Sequence, residues 1–328
     1  MHADSDNLSF VKLAILGLAS GVLVWFGLVS TVISSTVAAG PSQYYAASYA
    51  GGRLTNSPGL TVFPFDGKNF AISVPLTLGR IAFSPDGKTM FAPAVPEPAG
   101  QNGSRLVKIE LSPLRITTVP GSSMISSVTA LAVSRPGDKI VYRGAWGEVG
   151  SRTCGIFELD VSSGRIRPVL ESSDCMGVSN RSWVSLSPDD RQAVTSLDGV
   201  LQIVSLEDGT IQSLGRGLVH GGWSPDGKWI AAIELGRAGL CKAILIDASS
   251  PSRRRDLGSI EDEDLVWSPD SHYILHSIGG SDCPATSREA RSLDRIDAAT
   301  GKRSVIKSSI CKVIAGSEIG WISSDVAR

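Results

Sequence analysis

Four histidines, five cysteines and one dense acidic run are the residues whose types could carry chemistry in this chain of 328 residues. His220 opens the segment His220-Gly221-Gly222-Trp223, which is superficially similar to the oxyanion segment of esterases. The nucleophile elbow that such a segment needs, Gly-x-Ser-x-Gly, is absent, and the segment runs straight into the turn Ser224-Pro225-Asp226-Gly227. Gly221 and Gly222 are therefore expected to permit close packing rather than to bind an oxyanion. His272 and His276 stand four apart, a metal-binding spacing on a helix but not in a strand. Alternation would put both on one side of a sheet, where the expectation is a polar surface. His-Glu-x-x-His, Walker-type loops and Cys-x-x-Cys are all missing, so neither a metal nor a cofactor is expected. The run Glu261-Asp262-Glu263-Asp264, a few residues after Arg253-Arg254-Arg255, reads as a solvated face or a contact for a basic partner.

The elements that must position these residues come from a repeat. Ile81–Lys88, Leu131–Lys139, Val184–Arg191, Gly222–Lys228 and Val266–Ser271 each carry an apolar stretch followed by Ser-Pro-Asp-Gly or a close variant. Their serines, 84, 134, 187, 224 and 268, are separated by 37 to 53 residues, which straddles the length of a propeller blade. Pro presets φ, Asp bonds back to its own backbone and Gly accepts positive φ, so each copy predicts a hairpin. A second hairpin follows in the copies, as at Phe157–Gly164, Ile203–Gly209 and Arg295–Gly301. Two hairpins make a four-stranded blade. The two ends then complete one another. Tyr44–Tyr49, Leu60–Phe65 and Asn69–Val74 read as three strands, and Ile319–Ile322 as a lone first strand. The expectation is an all-β, six-bladed propeller over residues 44–328, with a composite blade closing the ring. A closed ring offers no edge from which to read an oligomeric state.

These repeats resemble the WD-repeat-like propeller family typified by TolB, whose first hairpin carries an apolar residue followed by Ser-Pro-Asp-Gly. Residues 84–87 and 224–227 match it fully, 187–190 and 268–271 differ only at the last position, and 134–138 is permuted with an insertion. The resemblance implies a propeller. It leaves function open, because the same fold serves as a docking platform in envelope proteins and as a gating domain in serine peptidases. Neither the separate α/β domain that precedes the TolB propeller nor the hydrolase domain of the peptidases is expected from these residues.

Ahead of the repeats, residues 13–37 hold no charge, and about 20 apolar residues span a bilayer core. The run is longer than the apolar part of an ordinary export signal. It is read as a transmembrane signal-anchor, after a short cytoplasmic segment 1–12 and before a linker 38–43. Cleavage after Ala39 is the competing reading. Lys12 places the N-terminus inside and the propeller in the periplasm or outside the cell. Net charge is −1 with both signs interspersed, which excludes the basic stripe of a nucleic-acid binder.

In a propeller, all the hairpin turns face one way, and the loops joining second to third strands face the other. Those loops are long here, at Pro93–Ser104, Arg143–Thr153 and Ile278–Ala290, and are the expected binding face for a protein or cell-envelope ligand. Cys154 with Cys175, and Cys283 with Cys311, occupy matched places on that face and are expected to form two disulfides, leaving Cys241 over. That pairing suits an oxidising compartment. Trp183, Trp223, Trp267 and Trp321 recur in first strands and are expected to pack between blades. The function expected is therefore a membrane-anchored binding scaffold without catalysis. The alternative is a propeller hydrolase or lyase using His220, Asp264 or Glu318 at the entrances to the central channel.

Overall fold

The computed structural model describes residues 44–50, 59–63, 70–74, 76, 78–94, 105–148, 151–172, 183–197, 199–236, 241–260, 265–280, 290–311 and 318–323. The chain divides into Met1–Gly40 and Pro41–Arg328, and every described residue belongs to the second unit. The anchor expected at 13–37 lies outside the described residues. Among the described residues no helix is long and apolar enough to cross a membrane.

Among the described residues the architecture is an all-β propeller of six four-stranded antiparallel sheets, with one short 3-10 turn at Ser122–Met124. Five sheets are built from consecutive strands. The remaining one is composite: Glu318–Ser323 pairs with Tyr44–Ala50, which continues into Gly59–Phe63 and Phe70–Ser73. Trp321 lies opposite Ala46, so the two ends of the propeller meet within a single ladder. The reason is in the repeat phase. The first segment begins at a second strand, and the last supplies the missing first strand and removes two open edges.

Between neighbouring sheets lie apolar layers made by the alternating faces of both. Phe91 and Leu106 of one sheet meet Leu131, Tyr142 and Phe157 of the next, with Tyr142 stacked on Phe157 at 5.2 Å. Ala231, Ile233 and Leu245 meet Leu265, Trp267 and Ile274. Leu275 and Leu293 meet Trp321, which brings the composite sheet into the ring. Each layer holds sheets buried on both faces, which is why the second and third strands read as nearly continuous apolar runs, as in Trp229–Leu235 and Cys241–Asp247.

The Ser-Pro-Asp-Gly turns are held by their serines. Ser224 donates its hydroxyl to Asp226 Oδ1 at 2.6 Å and accepts the Trp229 N–H at 2.9 Å. Ser84, Ser187 and Ser268 repeat this pattern with Asp86, Asp189 and Asp270. In the permuted copy Ser134 still finds a carboxylate, Asp138, at 2.8 Å, and still accepts the Lys139 N–H. The fourth turn residue takes positive φ in every copy: Gly87 67°, Gly137 76°, Asp190 56°, Gly227 74° and Ser271 62°. The two departures from glycine thus keep a conformation that disfavours side chains. Both use their side chains to bridge blades. Asp190 accepts the Arg135 N–H at 3.0 Å, and Ser271 Oγ accepts the Asp226 N–H at 3.0 Å.

Candidate functional site

The inner strands surround an axial cavity of about 490 Å³, bounded by the Ser-Pro-Asp turns at one end. Its size is that of a small-molecule or side-chain pocket. Phe83, Leu131, Leu186 and Val266 line it, together with Trp183, Trp223, Trp267 and Trp321. The tryptophans do pack between blades as expected. Trp321 donates its indole N–H to the Val266 carbonyl at 3.3 Å, and Trp267 to that of Gly222 at 2.9 Å. One step earlier the Trp223 backbone N–H donates to Ser185 Oγ at 3.0 Å. The rings therefore lock successive inner strands together and also face the axis, a second consequence that the repeat alone does not reveal.

The rim is polar. Asp86, Arg135 and Asp190 are the charged groups bounding the cavity. The Asp86 carboxylate accepts the Ser84 hydroxyl at 2.5 Å and the Lys88 N–H at 3.0 Å. Asp190 accepts the Arg135 N–H, and burial nonetheless holds its carboxyl above the ordinary value, with Asp138 adding to the rise. Arg135 reaches past the intervening turn to donate one guanidinium N–H to the Pro225 carbonyl at 3.1 Å. The serines of these turns at the rim are Ser84, Ser187 and Ser224. Each hydroxyl is committed to a carboxylate and to a backbone N–H, which suits a structural bracket and not a nucleophile.

Of the predicted channel residues, His220 is buried on the inner strand Leu218–Trp223, at φ 54° beside a register shift between Val219 and Gly222. Its ring lies 5.7 Å from that of Trp183. Asp264 lies outside the described residues. Glu318 opens the strand that closes the ring, and its side chain also lies outside them. Of the three, the His220 side chain is the one within the described residues, and it is not among those lining the cavity. Gly221 is closely packed, since a Cβ there would stand 2.8 Å from the end of the Leu201 side chain. Gly222 is not, because the nearest atom to its Cβ would be at 3.7 Å. The common surface expected for His272 and His276 is corrected. His272 is exposed and pairs with Asp270 at 3.4 Å, while His276 is fully buried. Burial follows from its register between Leu265 and Asp294, which puts it in the middle strand of a sheet covered on both faces.

Cys154 is disulfide-bonded, and Cys241 is a buried thiol. The side chains of Cys175, Cys283 and Cys311 lie outside the described residues, as do the acidic run 261–264 and most of the long loops. Two of the basic triplet upstream are structural: Arg254 donates to the Leu214 carbonyl and Arg255 to that of Ala298, each tying one blade to its neighbour. Arg135 was not singled out by residue type. Its signal lay in the one turn that breaks the Ser-Pro-Asp-Gly order.

No family model and no curated protein matches the sequence. Among solved structures, TolB from Acinetobacter baumannii is similar with a TM-score of 0.62 at 15% identity, over 84% of this chain and 66% of that one. The periplasmic gluconolactonase of Pseudomonas aeruginosa is similar with a TM-score of 0.53 at 13% identity, over 85% of this chain and 99% of that one. At such identities the likeness is one of fold.

Proposed function

We propose that this chain is a binding scaffold whose axial cavity receives an apolar group, and that it performs no catalysis there. The observation that carries this is the lining itself: indole and aliphatic surface inside, with rim hydroxyls and carboxylates already engaged in holding turns. A pocket of this kind binds by burying apolar surface and orients its ligand through a few rim groups. The likeness to TolB supports a docking role. In the same proposal residues 13–37 anchor the propeller to a membrane from the extracytoplasmic side. The disulfide at Cys154 supports an oxidising compartment, with Cys154–Cys175 and Cys283–Cys311 as the pairs. The long-loop face supplies the broader contact with a protein or cell-envelope partner.

The likeness to a gluconolactonase favours a second reading, a hydrolase using the channel. The two part company in one experiment. The full chain is incubated with gluconolactone and lactone consumption is followed, while thermal shift is measured with small aromatic fragments. The scaffold reading expects no turnover, and fragment stabilisation that disappears in Leu186→Trp, which fills the cavity. Turnover that is lost in His220→Ala would establish the hydrolase. Topology has its own test: intact mass and alkylation without reductant should give an uncleaved chain with one reactive thiol once denatured.

A further inference from the structure

We infer that Arg135 makes the axial cavity selective for an apolar group that carries a carboxylate. The inference rests on the cavity being the binding site, as proposed above. Four turns of the repeat place proline after the serine, at Pro85, Pro188, Pro225 and Pro269, and all four prolines line the cavity. The remaining turn, Ser134-Arg135-Pro136-Gly137-Asp138, keeps the same length and hydrogen-bond register but puts an arginine where the others place proline on the rim. The substitution leaves the bracket intact. Gly137 N–H still donates to the Ser134 carbonyl at 2.9 Å, Gly137 still takes positive φ, and Ser134 still reaches a carboxylate. What changes is therefore the group presented to the cavity and not the turn.

The chemistry of the rim decides what that group can recognise. Asp86 accepts a hydroxyl and an amide N–H, and Asp190 accepts the Arg135 amide N–H through both oxygens, at 3.2 and 3.0 Å. The Arg135 guanidinium makes one hydrogen bond, to Pro225. Of its five N–H donors most stay available, arranged as a planar fork that matches a carboxylate. It is the cationic side chain among the described residues lining the cavity. The same cavity is lined by apolar surface from Leu131, Trp223 and their neighbours. A ligand satisfying both parts has an aromatic or aliphatic body and a carboxylate at its outer end. The C-terminal residue of a peptide and a small free acid share this chemistry.

The test uses the full chain and two matched probe pairs: Ala-Ala-Phe with a free or an amidated C-terminus, and 4-phenylbutyrate with 4-phenylbutanamide. Binding is measured by titration calorimetry. A charge-assisted bond at an exposed arginine should favour each acid over its amide by about tenfold, or roughly 1.4 kcal/mol. Arg135→Gln should reduce that ratio to about one while leaving amide affinity unchanged, and Arg135→Lys should keep part of it. Melting curves check that the variants fold. Equal binding of acid and amide to the unaltered chain overturns the role of Arg135 and leaves the cavity reading standing. Failure of all four probes overturns both. Preference for the acid that persists in Arg135→Gln places the anion elsewhere and overturns the assignment. A strong response from the peptide pair alone identifies a chain terminus as the source, and from the small acids alone a metabolite.

Discussion

Replacing Trp321 tests whether the ring is closed by the strand Glu318–Ser323 in the way the structure describes. The ring of Trp321 is buried against Leu275 and Leu293, with Val266 and Tyr273 alongside, and its indole N–H reaches the Val266 carbonyl at 3.3 Å. Trp321→Ala removes the largest side chain in the layer between the composite sheet and its neighbour. Loss of a buried tryptophan costs about 3–5 kcal/mol. For a domain of this size each kcal/mol moves the melting temperature by about 2–4 °C, so the expected fall is roughly 6–20 °C. Trp321→Phe retains most of the apolar bulk and loses the hydrogen bond, a cost of about 0.5–1.5 kcal/mol plus a small packing loss. Trp223 provides the internal comparison. Among the described residues its buried indole N–H has no hydrogen-bond acceptor, so Trp223→Phe has no such bond to lose and should be the milder phenylalanine substitution. Calorimetric melts at one scan rate measure all three. A fall of less than about 2 °C for Trp321→Ala, or equal costs for the two phenylalanine variants, would refute the account of closure and of the indole bonds.

Four further outcomes are expected. Ser224→Ala removes the buried hydroxyl that accepts the Trp229 N–H and donates to Asp226, whose exposed carboxylate keeps the Lys228 N–H, and should cost about 0.5–1.5 kcal/mol in denaturant titration. Gly221→Ala forces its methyl onto Leu201 and Val194 and should cost about 1–3 kcal/mol, whereas Gly222→Ala should be tolerated; matched melts distinguish them. Burial raises the Asp294 carboxyl above its ordinary value against the pull of Arg303, and its buried Oδ1 has no hydrogen-bond partner among the described residues. A raised carboxyl binds more protons folded than unfolded, so its penalty is fully present at neutral pH and fades as pH falls through the raised value. Asp294→Asn should therefore raise the melting temperature at pH 7, with the gain vanishing on acidification. The turn carboxyls of Asp189, Asp208, Asp247 and Asp297 behave oppositely. Hydroxyl donors from Ser187, Ser205, Ser249 and Thr300 lead the effects that hold them low. Their stabilisation is present above about pH 4 and should be lost below it, so melts from pH 5 to pH 2 should decline steeply.

The local chemistry of this fold was legible in the residues. Ser-Pro-Asp-Gly announces its own hairpin because every interaction that makes it lies within six residues, and the phase of the first and last segments predicted the pairing of Tyr44–Ala50 with Glu318–Ser323. Even the permuted copy at 134–138 announced a turn. The sequence also indicated that the four tryptophans belong between blades. What it did not determine was which side chains share the axis. Periodicity assigns a residue to a face of its own strand, but the cavity is bounded by inner strands more than a hundred residues apart, and their convergence is set by how the apolar layers between the sheets fix the radius of the ring. Thus His276, four residues from an exposed histidine, is buried by the strands on either side of it. Arg135 looked like an interruption of a motif until closure of the ring put it at the mouth of an apolar cavity. A motif is written by neighbours in the chain, whereas a site is written by whatever the tertiary packing brings together.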